Sequence, residues 1–130
     1  MRCRYLNLLL LSVFIAACSG TKEKEQEETL KVFPNEIEDF TLVNQDSSLI
    51  TKSTFEGKIF ITDFFFTSCP SICPIMASQM LRVYEEFSDR EDLLFLSHSI
   101  DPKRDSVHVL KAYADKLGVS SDRWHFVTGP

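Results

Sequence analysis

Two cysteines separated by three residues, in Cys69-Pro70-Ser71-Ile72-Cys73-Pro74, carry the chemistry most readily legible in this chain. At that spacing the two sulfurs lie about one helical turn apart, close enough to share a metal ion or to join as a reversible disulfide. Thiols at the start of a helix face free amides and the positive end of the helix dipole, which favour the thiolate. The thiolate is the form that binds metals and attacks disulfides. Spacing alone leaves both uses open.

The elements around the pair have to put it there. Ile59-Phe60-Ile61-Thr62-Asp63-Phe64-Phe65-Phe66 is an apolar run that reads as a strand buried on both faces, so the cysteines follow a strand's carboxyl end. Met76, Met80, Val83, Tyr84 and Phe87 recur at helical spacing, predicting a helix that begins at or just before Cys73, with Pro74 in its first turn. Leu93 to Ile100 reads as a second buried strand, parallel to the first across a right-handed crossover, which brings His98 to Asp101 to the cysteine edge. Asp105 or Ser106 offers an N-cap for a helix with Val107, Leu110, Ala114 and Leu117 as its buried stripe and Gly118 as its end. Trp124 to Thr128 reads as a final edge strand. Upstream, Phe40–Val43 and Leu49–Thr51 flank a turn-forming segment and predict a hairpin, and Ser53 to Gly57 predicts a capped helical turn.

The whole chain has 130 residues, 44% hydrophobic, with net charge −5, which fits one globular domain and gives no basic surface for nucleic acid. It opens with Met1-Arg2-Cys3-Arg4 and an apolar stretch from Tyr5 to Ala17, too short to span a bilayer comfortably and suited to a signal peptide. Ile15-Ala16-Ala17-Cys18 resembles a bacterial lipobox. That resemblance implies cleavage before Cys18, acylation of its thiol and a lipid-anchored, extracytoplasmic place in a bacterial cell envelope. Cys3 would leave with the signal, so Cys69 and Cys73 would be the free pair. Ser19 to Lys31 is charged and almost free of apolar residues, the composition of a tether. The expected organisation is signal peptide 1–17, acylated Cys18 and tether 18–36, and folded domain 37–130.

Thr67-Ser68-Cys69-Pro70-Ser71-Ile72-Cys73-Pro74-Ile75-Met76 resembles the signature of the SCO/SenC family, thioredoxin-like copper proteins that assist assembly of cytochrome c oxidase. Supporting matches are Gly57-Lys58, Asp63-Phe64-Phe65, Ser99-Ile100-Asp101-Pro102 with Asp105 and Tyr113, and Trp124 with Thr128-Gly129. The resemblance implies an α/β, thioredoxin-like fold, incomplete at its C-terminus: an N-terminal hairpin, a βαβ unit, a further helix and an edge strand. It implies one copper ion, Cu(I) or Cu(II), on Cys69, Cys73 and a histidine, delivered to oxidase subunit II or another copper-accepting protein. Reduction of that acceptor's cysteines is the companion role. The family's histidine lies downstream of the residues matched here, so the third ligand is unknown and the chain reads as a fragment or truncated product. Strand Ile59–Phe66 would then lack a neighbour on one side.

Among residues present, His98 is the best-placed substitute ligand, although a packed strand-end histidine is the commoner case. His108 and His125 read as surface or packing residues. Met76 and Met80 are soft donors whose spacing equally fits core filling. Asp63, a carboxylate in a strand just before the thiols, is a candidate proton relay against the plainer reading of a hydrogen-bonded structural aspartate. A metallochaperone is therefore the leading reading. The alternative is a thiol-disulfide oxidoreductase or peroxidase-like redox protein using Cys69 and Cys73 without metal, and an inactive structural disulfide is the plainest.

Overall fold

The computed structural model describes residues 36–129, within the unit Asn35–Pro130. The expected signal segment, Cys18 and all of the tether but its last residue lie outside the described residues. Among the described residues, no helix is long and apolar enough to cross a membrane.

The hairpin forms as β1 (Thr41–Asn44) and β2 (Leu49–Thr51), with Leu42 opposite Ile50. Asn44 organises the turn by accepting the amides of Asp46 and Ser48 on its side-chain oxygen at 3.0 and 2.9 Å. A single 3-10 turn, Lys52–Phe55, follows, and Gly57 at φ 68° redirects the chain as a residue with a side chain would do only under strain. Then come β3 (Ile59–Phe65), α1 (Ile72–Glu86), β4 (Leu93–Ser99), α2 (Val107–Leu117) and β5 (Trp124–Thr128). Gly118, at φ 73°, ends α2 in the left-handed conformation expected of it.

The sheet order is β2-β1-β5-β4-β3, with β3, β4 and β5 parallel and β1 antiparallel to β5. Alternation along the strands sorts two cores. Phe65, Phe95, Trp124 and Phe126 pack with Leu110 and Ala114 of α2, with Met80 and Tyr84 of α1, and with both cysteines. On the other face Leu94, Leu96 and Val127 pack with Ile50 and Phe55. Both helices therefore cover one face, as successive right-handed crossovers in one direction across the sheet require.

Two expectations are corrected. Trp124–Thr128 is not an edge strand: β5 lies between β4 and β1, because each crossover sets a new strand beside the last and the hairpin then closes on its free side. Gln45 extends that closure past the end of β1, its side chain accepting the Phe126 amide at 2.9 Å and donating to the Trp124 carbonyl at 2.7 Å. The second correction concerns β3, which with β2 forms the two edges of the sheet among the described residues. Only Phe65 in it is fully buried, while Ile59 and Phe64 are 58% and 64% exposed. Among the described residues its apolar run has a strand neighbour on one side only, and there it is half covered rather than covered on both faces. β4 is buried along its first five residues, as expected.

Candidate metal centre

The turn after β3 sets the pair in place. The Cys69 amide donates to the Phe66 carbonyl at 3.2 Å, and Ser71 then serves as N-cap of α1 with no capping bond from its own side chain. The orphan amides of the first turn therefore turn elsewhere. Those of Ser71 and Cys73 point at the Cys69 sulfur, whose thiol they hold down at a pKa of about 6. The Cys73 thiol adds a further hydrogen bond, and the Ser71 hydroxyl lies 3.9 Å from the sulfur. In effect the Cys69 sulfur occupies the place of a capping oxygen.

Cys73, one turn further, behaves differently, and here the expectation of two thiolates is corrected. Burial pushes its thiol up, and the neighbouring negative charges of Cys69 and Asp63 add to the effect, against an opposing hydrogen bond from the Phe66 backbone. Both cysteines are free and nearly covered, 7% and 6% exposed. The structure thus brings the two sulfurs together within hydrogen-bonding reach as one poised thiolate and one protonated thiol.

Asp63 lies on the helix-covered face of β3, where it accepts the Ser97 hydroxyl at 2.5 Å. Ser97 in turn accepts the indole N–H of fully buried Trp124 at 2.9 Å. Burial raises the carboxyl of Asp63 above its ordinary range despite the Ser97 bond. Tyr113 of α2 packs on Phe65 and Phe126, and its hydroxyl is pushed up by burial first and then by Cys73, Asp63, Cys69 and Asp105. Sequence reasoning noted Tyr113 only as a family match. Its place near the thiols follows from packing that no local pattern discloses.

The histidines are not brought to the pair. His98 lies on the opposite face of β4, its ring 5.4 Å from that of Phe64, and burial lowers its pKa. His125 faces the same way, with Nδ1 3.4 Å from Asn44 Nδ2, while His108 is exposed on α2 with Nδ1 2.8 Å from Ser106 Oγ. Met80 fills the core beside the sheet, as its spacing suggested, and Met76 is half-buried. Among the described residues, no three His, Cys, Asp or Glu side chains are grouped to hold a metal ion. Two soft sulfur donors of this kind suit Cu(I).

A family model for SCO1/SenC matches residues 28–130. The chain is 32% identical over 121 residues to a SCO1 protein homolog of Bacillus subtilis, covering 92% of this chain and 60% of that protein. Its fold is similar to that of a SCO1/SenC family lipoprotein from Bacillus anthracis, with TM-score 0.68 and 31% identity, covering 73% of this chain and 57% of the other. It is similar also to yeast Sco1 with copper bound, with TM-score 0.64 and 28% identity, covering 75% and 53%. These likenesses bear out the thioredoxin-like fold expected from the sequence. The chain spans 52% to 60% of the length of the first curated relatives it matches.

Proposed function

The chain belongs to the SCO1/SenC family, and from that premise we propose that it holds one copper ion on Cys69 and Cys73 as part of a copper-delivery or thiol-reducing step in cytochrome c oxidase assembly. The observation that carries this reading is the sulfur pair itself: a preformed thiolate at Cys69 in contact with Cys73, at the first turn of α1. The yeast relative with copper bound supports the choice of metal. Cu(I) would take the two sulfurs, releasing the Cys73 proton, and a third donor comes from outside the described residues. Oxidase subunit II or another copper-accepting protein is the proposed recipient.

Anchoring through lipid on Cys18 and an extracytoplasmic position at a bacterial membrane belong to the same proposal. Both rest on the lipobox and on the related lipoprotein. The proposed role of Asp63 is to take up and return the Cys73 proton, supported by its raised carboxyl and by its charge acting on that thiol. A second reading, thiol-disulfide exchange without metal, is favoured by the unequal thiols. Cys69 is suited to attack, and Cys73 to resolve the mixed disulfide.

The deciding experiment is anaerobic titration of the reduced chain with Cu(I) against a competing Cu(I) chelator, in a background with Cys3→Ser and Cys18→Ser. One equivalent should bind, and Cys69→Ser or Cys73→Ser should each weaken binding by about 100-fold or more, as expected when one of two thiolate ligands is lost. Binding that survives both substitutions unchanged rules out this site. A chain that binds no Cu(I) yet still exchanges disulfides moves the assignment to the second reading.

A further inference from the structure

Asp105 is fully buried, and the cap role its local sequence suggests does not account for a carboxylate there. It is not the N-cap of α2, a position held by Ser106. Its oxygens instead collect donors from two strand ends. The Thr67 amide is shared between them at 3.3 and 3.2 Å, the Thr67 hydroxyl donates to Oδ1 at 2.5 Å, and the Ser99 hydroxyl donates to Oδ2 at 2.5 Å. The Asp105 amide donates to the Asp101 carbonyl at 2.9 Å, and Ser99 Oγ accepts the Asp101 amide at 3.1 Å. One side chain therefore ties together the exit of β3, the exit of β4 and the entry to α2.

What hangs from this clasp is the cysteine turn. Thr67 stands two residues before Cys69 and directly after Phe66, whose carbonyl accepts the Cys69 amide and whose backbone donates to the Cys73 sulfur. We propose that Asp105 is a positioning residue for the thiol pair, its carboxylate fixing Thr67 and so the turn that sets Cys69 against the first-turn amides of α1. The inference rests on the reading of Cys69 and Cys73 as the working site. Hydrogen bonds from those amides are strong to a thiolate and weak to a disulfide sulfur, so the clasp favours the reduced pair. Releasing it shifts the equilibrium toward the disulfide.

The test is metal-free equilibration of the full chain, in detergent, with a glutathione redox buffer. Each Cys69–Cys73 disulfide reacts with two glutathione thiols to give the dithiol and one glutathione disulfide, and the ratio is read by mass spectrometry on the peptide holding both cysteines. Asp105→Ala should move the constant about tenfold toward the disulfide, equivalent to roughly 30 mV. Asp105→Asn, which keeps an oxygen for Thr67, should move it less. Arg123→Ala is the control for plain destabilisation, since that guanidinium caps the far end of α1 by donating to the Phe87 carbonyl at 2.7 Å. It should lower the melting temperature and leave the constant unmoved. If Asp105→Ala does not fold, Asp105→Asn and Ser99→Ala carry the test. A shift of threefold or more in either supports the proposal, and smaller shifts in both, or an equal shift in Arg123→Ala, overturn it. Because copper is absent throughout, a failed Cu(I) titration leaves this readout intact, and a failed clasp leaves the titration intact.

Discussion

Alkylation of the reduced chain across pH should separate the two cysteines. With its thiol held at about 6 by the Ser71 and Cys73 amides, Cys69 is about nine-tenths thiolate at pH 7. An ordinary thiol at 9.0 is about one-hundredth thiolate at the same pH. That roughly 90-fold advantage in population is not the expected gain in rate, because nucleophilicity falls with basicity. With a Brønsted slope of about 0.45, three pH units of acidity cost about 20-fold, leaving Cys69 only about fourfold faster than a free thiol at pH 7. The diagnostic is therefore the shape of the profile. Cys69 should reach its plateau by about pH 7, with a midpoint near 6, whereas Cys73 labelling should still be climbing at pH 9 because burial lifts its thiol.

Iodoacetamide labelling in short pulses, quantified by mass spectrometry and corrected against the unfolded chain, measures both profiles. Ser71→Ala sharpens the test. The Ser71 amide is the largest influence on Cys69 and its hydroxyl the smallest, so removing the hydroxyl should move the midpoint by less than about half a unit. Coincident midpoints above pH 8 for both residues would refute the capping account, and so would a Ser71→Ala shift of a full unit or more.

Two further outcomes concern groups other than the thiols. Gln45→Ala removes the side-chain partners of both the Phe126 amide and the Trp124 carbonyl in the interior strand β5. Leaving two buried backbone groups unmatched should cost about 2–4 kcal/mol in urea unfolding followed by Trp124 fluorescence, and a loss below about 1 kcal/mol would contradict the role given to Gln45. Asp63 titrates above its unfolded value because burial penalises its charge, so its protonated form favours folding below about pH 4 and that benefit is lost as pH rises through the folded pKa. Asp63→Asn, which keeps an oxygen for Ser97, should raise the melting temperature at pH 7 and lose that advantage near pH 3.5. A variant less stable than the wild type at pH 7 would reverse this assignment.

The hairpin, both helices and the parallel pairing of β3 with β4 were legible because each rests on local periodicity and turn chemistry. The positions of Leu49–Thr51 after a polar Asn-Gln-Asp-Ser-Ser turn, and of Gly118 after a helical stripe, are signals carried within a few residues. Exposure of Phe64 was not legible, since an apolar run records what a strand is able to bury and not which neighbours stand beside it. The interior position of β5 depends on which side the hairpin closes, and the Gln45 and Asn44 contacts made there span about 80 residues of chain. Asp105 looked like a cap because Asp followed by Ser before a helical stripe has cap composition. Its actual partners, Thr67 and Ser99, become neighbours only once both strands end at the same edge.

The division of labour between the cysteines was equally out of reach of spacing. Two thiols one turn apart look equivalent on paper, but the first stands before α1 and faces its amides, while burial pushes the thiol of the second up. One proton is therefore still held at neutral pH, and it sits on Cys73. Under the proposed reading, metal uptake and disulfide formation are both steps that must remove that proton, so they compete for one event as well as for the same sulfurs. The two carboxylates near the pair are handled in opposite ways. Asp105 is saturated by donors and fixed, which suits holding a turn, whereas Asp63 has a single hydroxyl partner and a raised carboxyl, which suits exchanging a proton. Under the proposed reading, an aspartate whose charge adds to the burial that keeps the proton on Cys73 is placed to take part when that proton leaves.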